Sequence, residues 1–175
     1  SLAEPEAVVI PAGHLVPRLA HASHITGSDA HATSESHLIT GGTGGLGLLT
    51  ARWLAQRGAH ALSLASRGGT LARDMSDEWD QLQGTTTVAT YAQRCDTAEI
   101  AHVQRLVLVG HGLVAATGVW HAAGVLADSV LPKQTAGSLP RVYAAKAHGA
   151  STLHNACART PLRSCALFSS VAALL

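Results

Sequence analysis

The chain has 175 residues, of which 47% are apolar and 13% charged, and its formal net charge is +1. That is enough chain for one domain with a true core, and too apolar for a disordered segment. The near-neutral charge excludes a broad electrostatic pull toward nucleic acid or a membrane surface.

Residues 7–20, AVVIPAGHLVPRLA, predict two short strands about a Pro-Ala-Gly turn. Residues 21–36 are small and polar and read as a linker, so the main domain is expected to run from 37 to 175. From His37 the pattern alternates. HLIT (37–40) reads as a short buried strand. Over 45–58 the spacing predicts a helix carrying Leu46, Leu49, Trp53 and Leu54 on one face, ending near Gly58. HALSLAS (60–66) reads as a second strand, 70–84 as a weak helix and loop, and TTVATYAQR (86–94) as a third strand. TAEIAHVQRLVLVG (97–110) predicts an amphipathic helix with Thr97 as its N-cap. TGVWHAA (117–123) is a fourth strand, 139–158 a helix and CALFSS (165–170) a fifth strand. Alternating strands and helices imply βαβ units, hence an α/β fold with a doubly wound parallel sheet of the Rossmann type.

The stretch LITGGTGGLG (38–47) packs five glycines into ten positions, between the first strand and the first helix of this pattern. Gly42, Gly44 and Gly47 fit G-x-G-x-x-G. In that setting one glycine allows a tight turn, one lets backbone N–H groups meet a pyrophosphate, and one lets helix and strand pack closely. No Gly-Lys-Ser/Thr follows, which excludes a P-loop. The second strand ends in Ser66-Arg67, about twenty residues on, where an NAD site would place an acid. A guanidinium there suits a 2′-phosphate, so NADPH is favoured over NADH; a solvated or capping arginine is the plainer alternative.

Cys95, Cys157 and Cys165 are odd in number and widely spaced, which suggests reduced intracellular thiols. Around His21 and His24, or His148 and His154, no carboxylate or thiolate completes a ligand spacing, and no metal site is expected. No apolar run is long enough to span a bilayer and no signal-peptide pattern opens the chain, so a cytoplasmic location is expected. The chain opens on Ser1 and closes on the apolar SSVAALL, which suggests a piece of something longer.

LITGGTGGLG, SRGG, CDTAE, GVWHAAGVLADSVL, RVYAAKAHGASTLH and LFSSVA follow one another over 37–175. In order and spacing they resemble the ketoreductase domain of modular polyketide synthases, within the short-chain dehydrogenase/reductase superfamily. Residues 1–36, through LVPRLA, resemble the end of the structural half that precedes the catalytic half. The resemblance implies NADPH-dependent reduction of a β-ketoacyl thioester, delivered on the phosphopantetheine arm of an acyl carrier protein, to the β-hydroxyacyl product. It also implies neighbouring domains of the same synthase as partners, and neither nucleic acid nor membrane. Thr40, Gly42, Thr43, Gly44, Gly45, Leu46 and Gly47 match its pyrophosphate loop, and Ser66 and Arg67 its 2′-phosphate contact. Cys95 and Asp96 match its adenine contact, while Ala122, Ala123 and Gly124 in HAAG match the backbone beside the nicotinamide ribose. Lys146 and Ser170 match its catalytic lysine and serine, with Ser169 as an adjacent competitor on the opposite strand face. Leu126 and Asp128 match its Leu-Asp-Asp stereocontrol loop, with Ala127 departing; this favours the B-type, which yields a D-configured hydroxyl.

The family's acid is a tyrosine about a dozen residues past the serine, beyond Leu175, so the 175 residues are expected to be inactive and to lack the C-terminal strands. Tyr143-Ala-Ala-Lys146 imitates the superfamily's Tyr-x-x-x-Lys pair but is one residue short. Two other readings stand beside this one: a non-catalytic scaffold with the dinucleotide fold, and a short-chain reductase of a free small-molecule ketone.

Overall fold

Strand and helix alternate from residue 36 onward in a computed structural model that describes residues 8–11, 13–15, 35–85, 87–109, 116–128 and 130–170. The chain divides into two compact units. Residues 1–30 with 169–175 form the smaller and 31–168 the larger. In the smaller, β1 (Val8–Ile10) pairs antiparallel with β2 (Gly13–Leu15), as the Pro-Ala-Gly turn predicts. The linker expected over 21–36 lies outside the described residues as far as 34, and Ser36 already opens β3.

The larger unit is built on five parallel strands: β3 (Ser36–Thr40), β4 (Ala61–Ser66), β5 (Ala89–Arg94), β6 (Gly118–His121) and β7 (Ser164–Leu167). Their spatial order is β5-β4-β3-β6-β7. The sheet therefore grows from β3 in both directions, and the direction reverses between β3 and β6, the switch point at which α/β sheets bind ligands.

Apolar residues on both faces of the central strands make it a two-sided sheet. Ile39, Leu62 and Leu64 face one layer, with Leu48, Ala51 and Leu54 of α1 (Gly45–Gln56) and Leu82 of α2 (Ser76–Thr85). Leu38, Ala65 and Val119 face the other, with Val103 and Leu106 of α3 (Ile100–Val109) and Leu153 and Cys157 of α5 (Gly149–Cys157). Each fully buried leucine or isoleucine contributes about 1.5–3 kcal/mol.

Three local expectations are corrected. The buried face of α1 is Gly47, Leu48, Ala51, Leu54 and Ala55, whereas Leu46, Leu49 and Trp53 are about half exposed. Small residues bring the helix close to the sheet. Trp53 instead lies edge-on to Trp120 at 5.7 Å, with the Arg57 guanidinium 4.6 Å over its ring. Thr97 does not cap α3. It is buried in a turn in which Ala98 N–H donates to the Asp96 carboxylate at 3.0 Å, and Glu99 supplies the first helical carbonyl, to Val103 at 3.2 Å. The helix expected over 139–158 is α4 (Ser138–Tyr143) and α5, joined without interruption by a π turn over Ala144–His148.

Candidate dinucleotide and active site

The glycines divide by what they touch. Gly41 makes the turn out of β3, with φ +69°, and a Cβ there would stand 2.7 Å from the backbone of Ala122 and Ala123. A Cβ on Gly42 would meet the Ile39 carbonyl at 2.6 Å, and one on Gly47 would collide with the Gly41 carbonyl. These three are demanded by packing. Gly44 and Gly45 are not, because the nearest atoms to a Cβ there are the Gly41 carbonyl at 3.5 Å and Met75 Sδ at 3.6 Å. Both line a cavity of about 950 Å³ at the switch point, and Gly44 is the N-cap of α1. That helix has no acidic residue in its first turn and no side-chain cap, so its free N–H groups and positive dipole end face the cavity. The cavity thus receives bare backbone donors at positions where the fold leaves room for side chains, which fits a diphosphate. Thr43, Leu46 and Gly47 line the same end.

Ser66 and Arg67 lie across from this loop, at the end of β4. The Ser66 hydroxyl accepts the Gly69 N–H at 3.1 Å, which leaves its own hydrogen for a ligand. Among the described residues Arg67 has no carboxylate partner, and its guanidinium is exposed. Cys95 and Asp96 follow β5 on the same wall. Burial, helped by the Asp96 charge, pushes the Cys95 thiol up to about 11, so it stays protonated and serves as packing.

The opposite end is made by Ala122, Ala123 and Gly124 after β6 and by Lys146 on the π turn. The Lys146 side chain crosses Gly124, with Cε 3.3 Å and Nζ 3.9 Å from where a Cβ would stand. A π turn widens a helix locally and is common at functional positions.

The remaining sequence-derived residues divide between the cavity and places away from it. Thr40 is fully buried and bonds His121, and Gly42 packs between β3 and β4; neither lines the cavity. Leu126 lines the cavity and is 85% exposed, while Asp128 is exposed and is not part of the lining. Ser170 is exposed, three residues past β7, and falls in the smaller unit. Tyr143 is 64% exposed and does not line the cavity. Gly41 and Arg141 belong to the site region without having been singled out by sequence reasoning. Gly41 sat unread inside the glycine run. Arg141 left no signal in the sequence, because a spacing of five residues before Lys146 puts the two on different faces of a regular helix.

The KR domain family profile matches residues 35–175. The chain belongs to the KR domain family. It is 37% identical over 138 residues to the naringenin synthase of Pestalotiopsis fici, a match that covers 78% of the chain and 5% of that protein. It is 40% identical over 145 residues to polyketide synthase GfsB of Streptomyces halstedii, covering 81% of the chain and 2% of that protein. A solved structure titled "Structure of A1-type ketoreductase" superposes with a TM-score of 0.77 at 35% identity, covering 99% of the chain and 37% of that one. The chain thus spans a small part of the curated relatives it matches. This KR domain sequence is of the polyketide synthase kind within the short-chain dehydrogenase/reductase superfamily, a family of oxidoreductases that use a nicotinamide dinucleotide. Neither the scaffold reading nor the free-ketone reading is favoured by these relatives. Among the described residues no helix is long and apolar enough to cross a membrane.

Proposed function

We propose that this KR domain binds NADPH and serves the reduction of a β-ketoacyl thioester, carried on the phosphopantetheine of an acyl carrier protein, to the β-hydroxyacyl thioester. The observation that carries the reading is the cavity itself. It joins a helix N-terminus lined by Gly44 and Gly45 to Arg67 at one end and Lys146 at the other. When bound, NADPH supplies the hydride. The backbone of Gly44 and Gly45 holds the diphosphate, and Ser66 and Arg67 hold the 2′-phosphate. Asp96 accepts from the adenine amine, and the Ala122–Gly124 backbone borders the nicotinamide ribose. Ser170 donates a hydrogen bond to the ketone oxygen as negative charge develops there. The Lys146 ammonium lowers the pKa of a neighbouring acid and helps relay its proton.

Three finer parts of the proposal rest on the family resemblance. Leu126 and Asp128 favour the B-type product, which chiral analysis of the hydroxyacyl chain tests. Residues 1–36 close the preceding structural half and 37–175 begin the catalytic half, in a cytoplasmic synthase. Neither of the chain's two tyrosines lines the cavity, so these residues hold the cofactor without completing the reduction. Fluorescence titration tests the core of the proposal: NADPH is expected to bind about 10- to 100-fold more tightly than NADH, the worth of a charged hydrogen-bond pair. Equal affinities, or no binding, overturn it.

A further inference from the structure

Two hydrogen bonds run across the end of the sheet and stop at the backbone of Lys146. Thr40, the last residue of β3, is fully buried with Oγ1 2.6 Å from His121 Nδ1. His121, the last residue of β6, is buried in turn with Nε2 3.1 Å from the Lys146 carbonyl oxygen. A carbonyl oxygen only accepts, so Nε2 carries the hydrogen. Burial holds the imidazole below its usual pKa, with the Lys146 and Ala145 carbonyls pulling back upward and the Lys146 charge adding to the lowering. The ring is therefore neutral with Nδ1 bare, and the Thr40 hydroxyl donates to it. Thr40 thereby selects the tautomer that reaches Lys146.

The acceptor sits where the helix departs from α geometry. The Gly149 N–H reaches back to the Ala144 carbonyl, which closes the wide turn. The same N–H also reaches the Lys146 carbonyl, the oxygen that accepts from His121; insertion of a side-chain donor is one of the few causes of such a break in a helical ladder. Gly149 is pressed from the same side, with Thr97 Oγ1 2.6 Å and His121 Cε1 3.2 Å from where its Cβ would stand. The π turn is thus held at its carbonyl and at its closing residue, and from it the Lys146 side chain crosses Gly124.

We propose that His121 is a positioning residue: oriented by Thr40, its imidazole anchors the π turn so that the Lys146 ammonium stands over Gly124. This deepens the reading that Lys146 serves the cofactor end of the cavity, and rests on it. The family resemblance gives a role to the backbone of the HAAG stretch and none to its histidine.

The chain has two lysines, Lys133 and Lys146, and the exposed Lys133 is an internal reference. The test is amine labelling of the cofactor-free, full-length protein, read as the ratio of labelling at Lys146 to that at Lys133 by peptide mass spectrometry. His121→Asn keeps an acceptor near Nδ1 but falls short of the Lys146 carbonyl, and is expected to raise the ratio about fivefold, the worth of one buried hydrogen bond. His121→Gln places its amide N–H near Nε2, and is expected to restore the wild-type ratio. An unchanged ratio in His121→Asn, or the same rise in both variants, overturns the proposal. Should His121→Asn give no folded protein, Thr40→Val takes its place; it too should raise the ratio, and no change there overturns the proposal. The NADPH dissociation constant is measured separately. A raised ratio with unaltered NADPH affinity leaves the anchor standing and removes the cofactor role of Lys146.

Discussion

At the scale of residues, glycines that look alike in the sequence behave differently in the fold. Gly47→Ala puts a methyl group against the Gly41 carbonyl and 2.6 Å from Gly42 Cα. It is expected to cost about 1–3 kcal/mol in denaturant unfolding, as overpacked backbone does. Gly45→Ala meets nothing closer than Met75 Sδ at 3.6 Å. It should leave stability unchanged or raise it by up to about 1 kcal/mol, since alanine is the better helix former. Gly45 also lines the cavity proposed to hold the diphosphate, so NADPH affinity should fall about tenfold, a loss on the scale of one charge-assisted hydrogen bond. Loss of stability without loss of affinity in Gly45→Ala would contradict the division between packing and binding glycines. Arg67→Ala is expected to weaken NADPH about 10- to 100-fold and leave NADH unchanged, measured by the same titration. That the glycine loop and Arg67 would meet at one cavity was legible from the loop's place after a strand and from Arg67's distance along the chain. That Gly41, and not Gly42, makes the turn was not legible, because only the sign of φ separates them.

At the scale of elements, the strand-helix alternation was legible, and the failures have separate causes. Hydrophobic size was read as burial. Leu46, Leu49 and Trp53 are spaced for one helix face, yet the sheet takes the face with Gly47, Ala51 and Ala55 because small residues allow close approach. Thr97 has the chemistry of a cap, but its hydroxyl and Cβ lie against Gly149. The π turn leaves no mark in periodicity, since it depends on a donor from β6 that is distant in sequence. The two buried histidines beneath these elements set a pH dependence. Burial lowers the pKa of His37, opposed by the Glu35 charge, and it lowers that of His121. The unfolded chain then binds protons that the native one refuses, so the histidine contribution makes stability fall as pH drops below about 6.5. The thermal midpoint is expected to be lower at about pH 5 than at pH 7, with a shallower decline in His121→Gln. A midpoint that holds or rises on acidification would show that these rings are not neutral in the folded protein.

At the scale of the molecule, order β5-β4-β3-β6-β7 brings Gly41, at the end of β3, within touching distance of Ala122 and Ala123, after β6. That reversal lets one cavity collect residues from Thr43 to Lys146. Alternation predicts a parallel sheet but not its strand order, because pairing between β3 and β6 leaves no local signature. The cavity holds cationic and hydroxyl groups that suit a dinucleotide, but its lining contains no tyrosine. Tyr91 lies on β5 with 38% of its surface exposed and Tyr143 on α4 with 64% exposed. The family resemblance assigns the proton to a tyrosine and gives Lys146 the part of assisting that acid. Residues 1–175 are therefore expected to quench or shift NADPH fluorescence on binding and yet to leave NADPH unoxidised when a β-ketoacyl thioester is added. Tyr143→Phe should change neither result. Sustained oxidation of NADPH matched by β-hydroxyacyl product would mean that these residues already hold a complete acid, and its loss in Tyr143→Phe would identify that acid as the tyrosine three residues before Lys146.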